Sequence, residues 1–434
     1  MRVREIARRV VPGVLGLAAV LAVYGVIAHY YRHAAMMAPD ESFYTLAARL
    51  VWDGELPYRD FAYTQTPHLP YLNGALMHLA GFGLDSHRAI CAAWGGLGLV
   101  LLVLAVRVRL GAWEPALLAG FLMATAPRWV SLQATAVWCG PAGACTAGAL
   151  LAALWPGPIW RRAVPFALCG TLAIGCRLSC APVVAVLILP LLLEAGSPRR
   201  ALAVLGLCLG TGIVLFAPFI AADPGNFWFC VWRFHLDSSI ERNIEAQVMQ
   251  WWNMAPAALL AGIVGLLGAW SLLRGRRFAL LALLGAGVVG VVVPMLPESA
   301  WGVYIAAGAP LFAAGGIAAI WSHPAAATHP SRHAFWVLPA LNLLFLLPAE
   351  VGEGAATDPE EIAAYIERHV ELGPLLTPAG IVAVEARRDV LPGTELGTFS
   401  AMLPGREQEA ARRRMTTLAG LARRVRLQEP AAIV

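Results

Sequence analysis

Long apolar segments recur along this chain of 434 residues and are separated by short polar stretches. A helix that crosses the hydrocarbon core of a bilayer needs about 20 apolar residues, and only helices and closed barrels satisfy their backbone polar groups there. Segments of about ten residues with alternating polarity, which would indicate a barrel, do not occur. The pattern predicts an all-α polytopic membrane protein with about eleven transmembrane helices, at 11–31, 87–106, 113–127, 138–155, 163–177, 179–194, 200–222, 254–273, 278–296, 301–321 and 334–349.

The composition supports this class of protein. Charged residues make up 14% of the chain, whereas soluble proteins carry about 25%. All 32 residues of the Lys and Arg class are arginine, so any cationic site must use arginine or histidine. The cysteines show neither zinc-ligand spacing nor a disulfide framework. The basic start resembles a signal peptide, but the apolar stretch 11–31 is long and no small-residue cleavage site follows, so we interpret it as the first span.

The polar linkers sort by charge when the predicted spans are threaded alternately through a membrane. Linkers rich in arginine fall on one side, which the positive-inside rule makes cytoplasmic. Acidic residues fall on the other side, where two long loops at 32–86 and 223–253 carry most of the loop material. This threading predicts a cytoplasmic N-terminus and an extracytoplasmic C-terminus. We therefore expect its chemistry on the outer face.

The first outer loop opens with two adjacent carboxylates, Asp40 and Glu41. A helical stripe of apolar residues follows and predicts an amphipathic helix along the membrane surface, ended by Gly54. A second short helix is predicted over 69–79. Asp40 alone fits a helix cap, but a cap needs one carboxylate, and here two carboxylates lie at the boundary where a lipid headgroup would arrive.

The paired carboxylates suit two kinds of chemistry. A carboxylate at a helix N-terminus is favoured in its ionised form. It can then accept a proton from a hydroxyl nucleophile or bind a divalent cation such as Mg²⁺ or Mn²⁺ through oxygen. Asp40 and Glu41 are therefore candidate catalytic residues and candidate metal ligands. A metal site that adds His235 to them is a weaker alternative, because no ligand spacing within one helix supports it.

An ordered set of short motifs continues the loop: Ala47-Ala48-Arg49-Leu50, Asp53-Gly54, Leu56-Pro57-Tyr58-Arg59-Asp60-Phe61, Gln65-Thr66-Pro67 and Tyr71-Leu72. Together with the basic N-terminus, the single preceding span and Asp40-Glu41, these motifs resemble the GT-C class of integral-membrane glycosyltransferases. The resemblance is to the bacterial members that are similar to protein O-mannosyltransferases, aminoarabinose transferases and lipopolysaccharide-core galacturonosyltransferases. It is strong over residues 1–90 and diffuse to about residue 350.

The resemblance implies a place in a bacterial-type inner (plasma) membrane, an activity and several site residues. Enzymes of this class use a polyprenyl-phosphate-linked sugar on the extracytoplasmic side. The residue that matches Asp40 is the catalytic base or a metal-site carboxylate, with Glu41 as its partner. Some relatives have Lys-Pro-Pro where this chain has Gln65-Thr66-Pro67, and that lysine helps at the donor phosphate. Here Arg59, His68 or another arginine would replace it, or the donor would bind differently.

A polyprenyl phosphate that leaves the sugar needs cationic hydrogen-bond donors, and guanidinium groups suit phosphate oxygens. Arg177 lies between two apolar segments near the predicted outer boundary, where an ionisable side chain is costly and usually functional. Snorkelling to the interface is the alternative for Arg177. The other outer-side candidates for the donor phosphate are Arg59, Arg88, Arg128, Arg233, His235 and Arg242.

Further residues are candidates for substrate binding. Gln65 and His68 belong to the motif region of the first outer loop. Tyr304 and Glu298 lie near the outer end of the 278–296 span and are acceptor-side candidates, with loop solvation and interface anchoring as the alternatives. The second outer loop groups three polar residues that equally fit a solvated face: Arg233, His235 and Asp237.

Residues 351–434 are richer in charge and predict a small extracytoplasmic α/β tail beside a GT-C-like transmembrane catalytic domain at 1–350. A helix start at Asp358-Pro359-Glu360-Glu361, a buried strand at Ile381-Val382-Ala383-Val384 and an arginine-rich helix over 405–425 are predicted. The run Arg412-Arg413-Arg414 would contact anionic headgroups or lie on a solvated helix face. No nucleotide-phosphate loop occurs in the sequence, which agrees with a lipid-linked donor.

These features lead to one main functional hypothesis and two alternatives. The main hypothesis is an inverting hexosyl- or pentosyltransferase that moves a sugar from a polyprenyl-phosphate donor to a lipid, glycan or protein acceptor, in contact with membrane lipids and without a nucleic-acid partner. The alternatives are a polytopic secondary transporter and a non-catalytic cell-envelope assembly protein. A transporter predicts ionisable residues near mid-membrane and paired broken helices, whereas the acids here lie at one boundary.

Overall fold

The computed structural model describes residues 2–35, 39–236, 244–296, 302–323, 330–343, 359–402 and 405–434. Within these ranges, five helices are long and apolar enough to cross a membrane: α1 (Arg2–Ala34), α4 (Leu84–Leu110), α11 (Pro198–Ala222), α15 (Pro256–Arg274) and α16 (Phe278–Val292). Such helices indicate an integral membrane protein. Helices α6 (Pro127–Ala134) and α7 (Cys139–Leu154) meet at 105° and would form a sixth span if they are one bent unit.

The remaining helices of the bundle are shorter or less apolar. They are α5 (Trp113–Ala124), α8 (Ile159–Cys176), α9 (Ala181–Leu187), α10 (Leu189–Leu193), α17 (Ala309–Trp321) and α18 (Val337–Leu343), with 3-10 turns at Leu178–Cys180, Val293–Met295, Gly302–Ile305 and Pro330–Trp336. Each predicted span from 11–31 to 301–321 overlaps one of these elements, and 334–349 lies partly outside the described residues. The total of about eleven crossings stays a prediction.

Small residues let the helices of the bundle approach closely. Gly265 of α15 faces Gly316 of α17, and a Cβ atom at Gly265 would lie 2.1 Å from the Cα of Gly316. Membrane helices associate through such close backbone packing, because apolar side chains gain no hydrophobic free energy when they move from lipid into a helix interface. The alanine and glycine content that makes the segments apolar therefore also sets their spacing.

The outer loops form short helices. The first loop contains α2 (Pro39–Trp52) and α3 (His68–Ala80), and the second contains α12 (Pro224–Trp228), a π-helical turn at Phe229–Arg233, α13 (Phe234–Leu236) and α14 (Ile244–Met254). Asp40 lies in the first turn of α2, not at its cap. Residues 41–48 of α2 are all buried, so this helix is enclosed by protein, whereas the sequence predicted one exposed polar face.

The tail consists of short elements: α19 (Pro359–His369), β1 (Leu375–Leu376), α20 (Gly380–Glu385), a 3-10 turn at Gly397–Ser400, β2 (Ala401–Met402), α21 (Glu407–Arg412), β3 (Thr416–Thr417), α22 (Leu418–Arg426) and β4 (Ala432–Ile433). Strand β1 pairs with β4 and β2 pairs with β3, both in parallel.

Two predictions for the tail are wrong. Residues 381–384 form the helix α20, because a short, wholly buried apolar run suits either a strand or a helix and its pattern cannot distinguish them. The predicted helix over 405–425 is broken after Arg412, where the chain turns through Arg414 at a φ of 56° and enters β3. A third prediction for the tail, a helix that starts near Asp358, is confirmed by α19.

The tail shares a hydrophobic core with α2. Leu46 of α2 packs among buried tail residues that include Ile366, Leu375 and Ile381. A Cβ atom at Gly380 would lie 2.8 Å from the Leu46 side chain, which shows how closely α20 approaches α2. The helix that carries Asp40 is therefore held from one side by the membrane bundle and from the other by the tail.

Candidate functional site

Glu41 is a fully buried anchor at the start of α2, with 0% of its surface exposed. The Arg88 guanidinium donates from Nε and Nη2 to the two Glu41 oxygens, each at 2.7 Å. The backbone N–H of Ala136 also donates to Glu41 Oε1 at 2.7 Å. Because both oxygens are bound, Glu41 joins α2, α4 and the turn before α7. These contacts favour a structural role for Glu41 over the predicted catalytic or metal-binding one. They also engage Arg88, a donor-phosphate candidate from the sequence, with a carboxylate of the protein itself.

Asp40 has a different environment from its neighbour. It is exposed at the start of α2. Displacement of water by the surrounding protein raises its pKa above the ordinary value, the nearby Arg177 charge lowers it, and the Glu41 charge raises it. Asp40 therefore keeps the access that a general base needs, and its carboxylate binds a proton more tightly than a free aspartate does.

Arg177 lies in the break between α8 and the following 3-10 turn, and its guanidinium is enclosed by aromatic rings. Its carbon Cζ is 5.1 Å from the ring centre of Trp138 and 4.9 Å from that of Tyr304. Nη1 donates to the side-chain oxygen of Gln65 and, at 3.4 Å, to the Tyr44 hydroxyl. Cation–π contacts and hydrogen bonds together fix the guanidinium plane. Nε and Nη2 make no hydrogen bond to a described residue.

Tyr44 completes the donor set around the guanidinium. It lies one helical turn after Asp40 on α2 and is 2% exposed. Burial raises the pKa of its phenol, and the Arg177 charge opposes that rise. The phenol therefore keeps its proton at neutral pH and can donate its O–H to an anion bound beside Arg177.

The first outer loop is folded so that Gln65 reaches Arg177. Tyr58 is fully buried and holds a positive φ of 72°, a conformation that non-glycine residues adopt rarely. Its hydroxyl donates to the Gln65 carbonyl at 2.6 Å. Gln65 is thereby fixed at its backbone by one contact and at its side chain by the other. Gln65 therefore orients the Arg177 guanidinium. Its predicted role in substrate binding stays a prediction.

The second outer loop reaches the site through His235. Its Nε2–H donates to the Thr64 carbonyl at 2.6 Å, next to Gln65. Loss of water lowers the pKa of His235, the hydrogen bond to Thr64 raises it, and the Arg177 charge lowers it. The ring is therefore neutral at pH 7, with its one N–H engaged. A neutral His235 ring carries no charge for a phosphate. The other candidate of this loop, Arg233, is exposed at the end of the π-helical turn.

Arg59 and His68 lie apart from the Arg177 contacts. Arg59 is exposed and binds Asp60 through Nε at 2.9 Å and Nη2 at 2.7 Å. His68 is buried, with its ring edge-on to Phe216 at 4.8 Å and its Nε2 donating to the Leu215 carbonyl at 3.2 Å. Burial lowers the pKa of His68. Arg59 is thus paired with a carboxylate at the surface, and His68 is packed among aromatic rings.

Four other sequence candidates lie at the surface or outside the described residues. Arg128 is exposed on α6. Asp237, Arg242 and Glu298 lie outside the described residues. In the part of the chain that the structure describes, no group of three or more His, Cys, Asp or Glu side chains is placed to hold a metal ion.

Sequence reasoning missed two residues of the site. Tyr44 could have been found, because it lies on α2 four positions after Asp40 and such residues share a helix face. Trp138 has no local signal, since only the packing of α7 against α8 brings it to Arg177. The structure thus combines one exposed carboxylate with one enclosed guanidinium. We call this set the Arg177 group: Asp40, Tyr44, Gln65, Trp138, Arg177 and Tyr304.

The fold is that of a polytopic helical membrane protein and is similar to the fold of solved GT-C glycosyltransferases. ArnT (aminoarabinose transferase) from Cupriavidus metallidurans bound to undecaprenyl phosphate matches with a TM-score of 0.67 and 17% identity, over 95% of this chain and 90% of that chain. ArnT in the apo state matches with a TM-score of 0.63 and 18% identity over the same shares.

A second glycosyltransferase of the GT-C class has the same fold. The archaeal oligosaccharyltransferase AglB from Archaeoglobus fulgidus, in complex with an inhibitory peptide and a dolichol-phosphate, matches with a TM-score of 0.51 and 14% identity, over 93% of this chain and 64% of that chain. These identities establish the fold, and the predicted resemblance to the GT-C class is confirmed at that level. No protein-family model and no curated protein matches the chain.

Proposed function

We propose that this protein is a glycosyltransferase that moves a sugar from a polyprenyl-phosphate-linked donor to an acceptor on the extracytoplasmic side of the membrane. The observation that carries the proposal is the enclosed guanidinium of Arg177 in the electrostatic neighbourhood of the exposed carboxylate of Asp40. One group suits a phosphate and the other suits a proton, and a transfer from a phosphate-linked sugar to a hydroxyl requires both.

Arg177 would bind the donor phosphate. The phosphate gains negative charge as the bond from its oxygen to the sugar carbon breaks. Guanidinium N–H donors held in place beforehand stabilise that charge without reorganisation. Nε and Nη2 of Arg177 supply such donors, and the O–H of Tyr44 supplies another. The rings of Trp138 and Tyr304 enclose the other faces of the site and reduce competition from water.

Asp40 would act as the general base. Its carboxylate is exposed, so an acceptor hydroxyl can reach it. Asp40 would take the hydroxyl proton while the acceptor oxygen attacks the anomeric carbon from the side opposite the phosphate, and the phosphate would leave with the bonding electrons. A single displacement of this kind inverts the anomeric configuration. The acceptor, whether lipid, glycan or protein, and the choice between a hexose and a pentose are left to experiment.

A divalent metal at Asp40 and Glu41 does not fit this geometry. Both oxygens of Glu41 are bound by Arg88 and by the Ala136 backbone. Mg²⁺ in proteins is held by one or two carboxylates together with waters and substrate phosphates, and of this pair only Asp40 is accessible, so the predicted two-carboxylate site is absent. We therefore derive no step through a metal.

The comparisons support the choice of donor class. One matching structure, ArnT, holds undecaprenyl phosphate, and another, AglB, holds a dolichol-phosphate and a peptide. Both ligands are polyprenyl phosphates, the chemistry that the donors of the Arg177 group would recognise. We propose by the same argument that Asp40 and the tail lie on the extracytoplasmic side of the membrane.

The test begins with the lipid that co-purifies with the protein, identified by mass spectrometry. Membranes that contain the protein are then supplied with that polyprenyl-phosphate sugar in radiolabelled form. Asp40→Asn should reduce transfer by about 10²–10⁴-fold, while Asp53→Asn, an exposed carboxylate just after α2, should retain it. Full transfer by Asp40→Asn at equal protein amount removes Asp40 from the mechanism. Solute exchange in liposomes, without any transfer, would favour a transporter.

A further inference from the structure

Two arginines of the tail, Arg413 and Arg414, bind the outer loops. Arg413 donates from Nη1 to the Gly225 carbonyl at 3.0 Å and to Asn226 Oδ1 at 3.1 Å. The same guanidinium lies 4.6 Å from the ring centre of Phe229. Arg414 donates from Nε to the Arg59 carbonyl at 2.9 Å. Two neighbouring side chains of the tail therefore bind the second and the first outer loop, which neither a lipid-facing nor a solvated helix face would do.

Asn226 is the point where the tail meets both loops. It is 2% exposed, and the two hydrogens of its side-chain nitrogen are shared among three acceptors: the Tyr58 carbonyl at 3.0 Å, Asp223 Oδ2 at 3.0 Å and the Arg412 carbonyl at 2.9 Å. Its side-chain oxygen accepts from Arg413. One buried amide thus joins the first outer loop, the second outer loop and the tail.

This junction continues to the candidate site in two steps. Tyr58, whose carbonyl accepts from Asn226, donates its hydroxyl to the Gln65 carbonyl at 2.6 Å. Gln65 in turn accepts from Arg177 through its side-chain oxygen. Tyr58 is fully buried and holds a positive φ, so its conformation has to be maintained by its surroundings. Asn226 binds the strained residue at its backbone carbonyl.

We propose that Asn226 and Arg413 are positioning residues for the Arg177 group: by binding the Tyr58 carbonyl and the second loop, they fix Gln65 and hence the orientation of the guanidinium. The tail then supports the donor-phosphate site indirectly, through Asn226, and contributes no residue that contacts the ligand. The inference rests on the proposed function for its ligand, a polyprenyl phosphate. Its structural half, the coupling of the tail to residues 56–66, does not depend on that function.

The structural half is tested on the ligand-free full-length protein by hydrogen–deuterium exchange. Asn226→Ala and Arg413→Gln should increase exchange in residues 56–66 by roughly 3- to 30-fold. The matched control is Arg412→Gln, which removes the same charge from the same run, because Arg412 takes part through its backbone carbonyl and its side chain is exposed. Unchanged exchange in residues 56–66 of both test variants would overturn the coupling.

The functional half is tested by titrating undecaprenyl phosphate into the same proteins and measuring the shift in melting temperature. Asn226→Ala and Arg413→Gln should weaken its binding by roughly 3- to 30-fold, and Arg412→Gln should bind like the wild type. A merely structural role would lower the melting temperature of the free protein and leave the dissociation constant unchanged. That result overturns the positioning role. Absence of binding by the wild type would count against the proposed function, and the exchange experiment would still decide the coupling.

Discussion

Asp40 and Glu41 are adjacent in the chain and have opposite environments: Glu41 is fully buried in a two-pronged ion pair with Arg88, and Asp40 is exposed within the field of Arg177. Successive residues at the start of a helix point in directions about 100° apart. That angle directs one carboxylate into the bundle and the other into the site. One carboxylate is thus held in a buried ion pair, and the other is free for the proposed chemistry.

This division predicts that the two carboxylates differ in what their loss affects. Glu41→Gln leaves Arg88 buried without its charged partner, and we expect it to lower stability by about 3–5 kcal/mol. Asp40→Asn should leave stability within about 0.5 kcal/mol, since it changes an exposed side chain. Thermal unfolding in detergent measures both variants. An Asp40→Asn protein that melts far below the wild type would contradict the assignment.

The Arg177 charge should set the pH at which Asp40 loses activity. The protein around Asp40 displaces part of its hydration water and raises its pKa, and the Arg177 charge opposes that rise. Removal of the charge in Arg177→Gln should therefore raise the Asp40 pKa and move the acid limb of the rate profile to higher pH, by about half a unit to one unit. Arg177→Lys keeps the charge and should shift the limb less, although both variants should bind the donor more weakly. Arg59→Gln, at the surface, is the control and should leave the limb in place.

The backbone of Gly175 allows His68 to pack beside the Arg177 segment. A Cβ atom at Gly175 would lie 1.8 Å from Nδ1 of His68. Gly175→Ala should therefore force the ring aside and cost about 1–3 kcal/mol of stability. The double variant Gly175→Ala with His68→Ala should recover part of that loss, because the clash is gone. A double variant whose loss equals the sum of the two single losses would show that the contact is not the cause.

The tail contains a carboxyl group that should make stability depend on pH. Burial raises the pKa of Glu395 to about 7, and its hydrogen bonds with the Gly393 N–H oppose that rise. The folded protein therefore holds a proton that the unfolded chain releases at a pKa near 4.5, so stability should fall as the pH rises from about 4.5 to 7 and level off above.

Glu395→Gln tests this dependence. The neutral side chain removes the titration, so melting temperatures measured at pH 5 and pH 8 should differ less in the variant than in the wild type, by about 2 °C. Glu407→Gln, at an exposed position of α21, is the control and should keep the wild-type difference. An unchanged difference in Glu395→Gln would assign the pH dependence to other groups.

Several sequence predictions for the site depended on charge alone, and the structure shows why charge was insufficient. Arg59 and Arg88 were candidates because they are cationic, but each has a carboxylate partner, Asp60 and Glu41. His235 was a candidate because histidine can be cationic, but burial and the Arg177 charge keep it neutral. A pKa depends on the solvent and the charges around a group, and those come from remote parts of the chain.

The sequence by itself determined that the chain is a helical membrane protein and where the helices of the first outer loop lie, and it singled out Asp40 and Arg177 as candidate site residues. The physical reason is that apolar length, helical periodicity and the cost of a charge between apolar segments are properties of neighbouring residues. Tertiary structure alone decided that Trp138 and Tyr304 enclose Arg177, that 381–384 is a helix, and that Asn226 joins the tail to both outer loops. Those facts depend on contacts between residues far apart in the chain, for which a local pattern carries no signal.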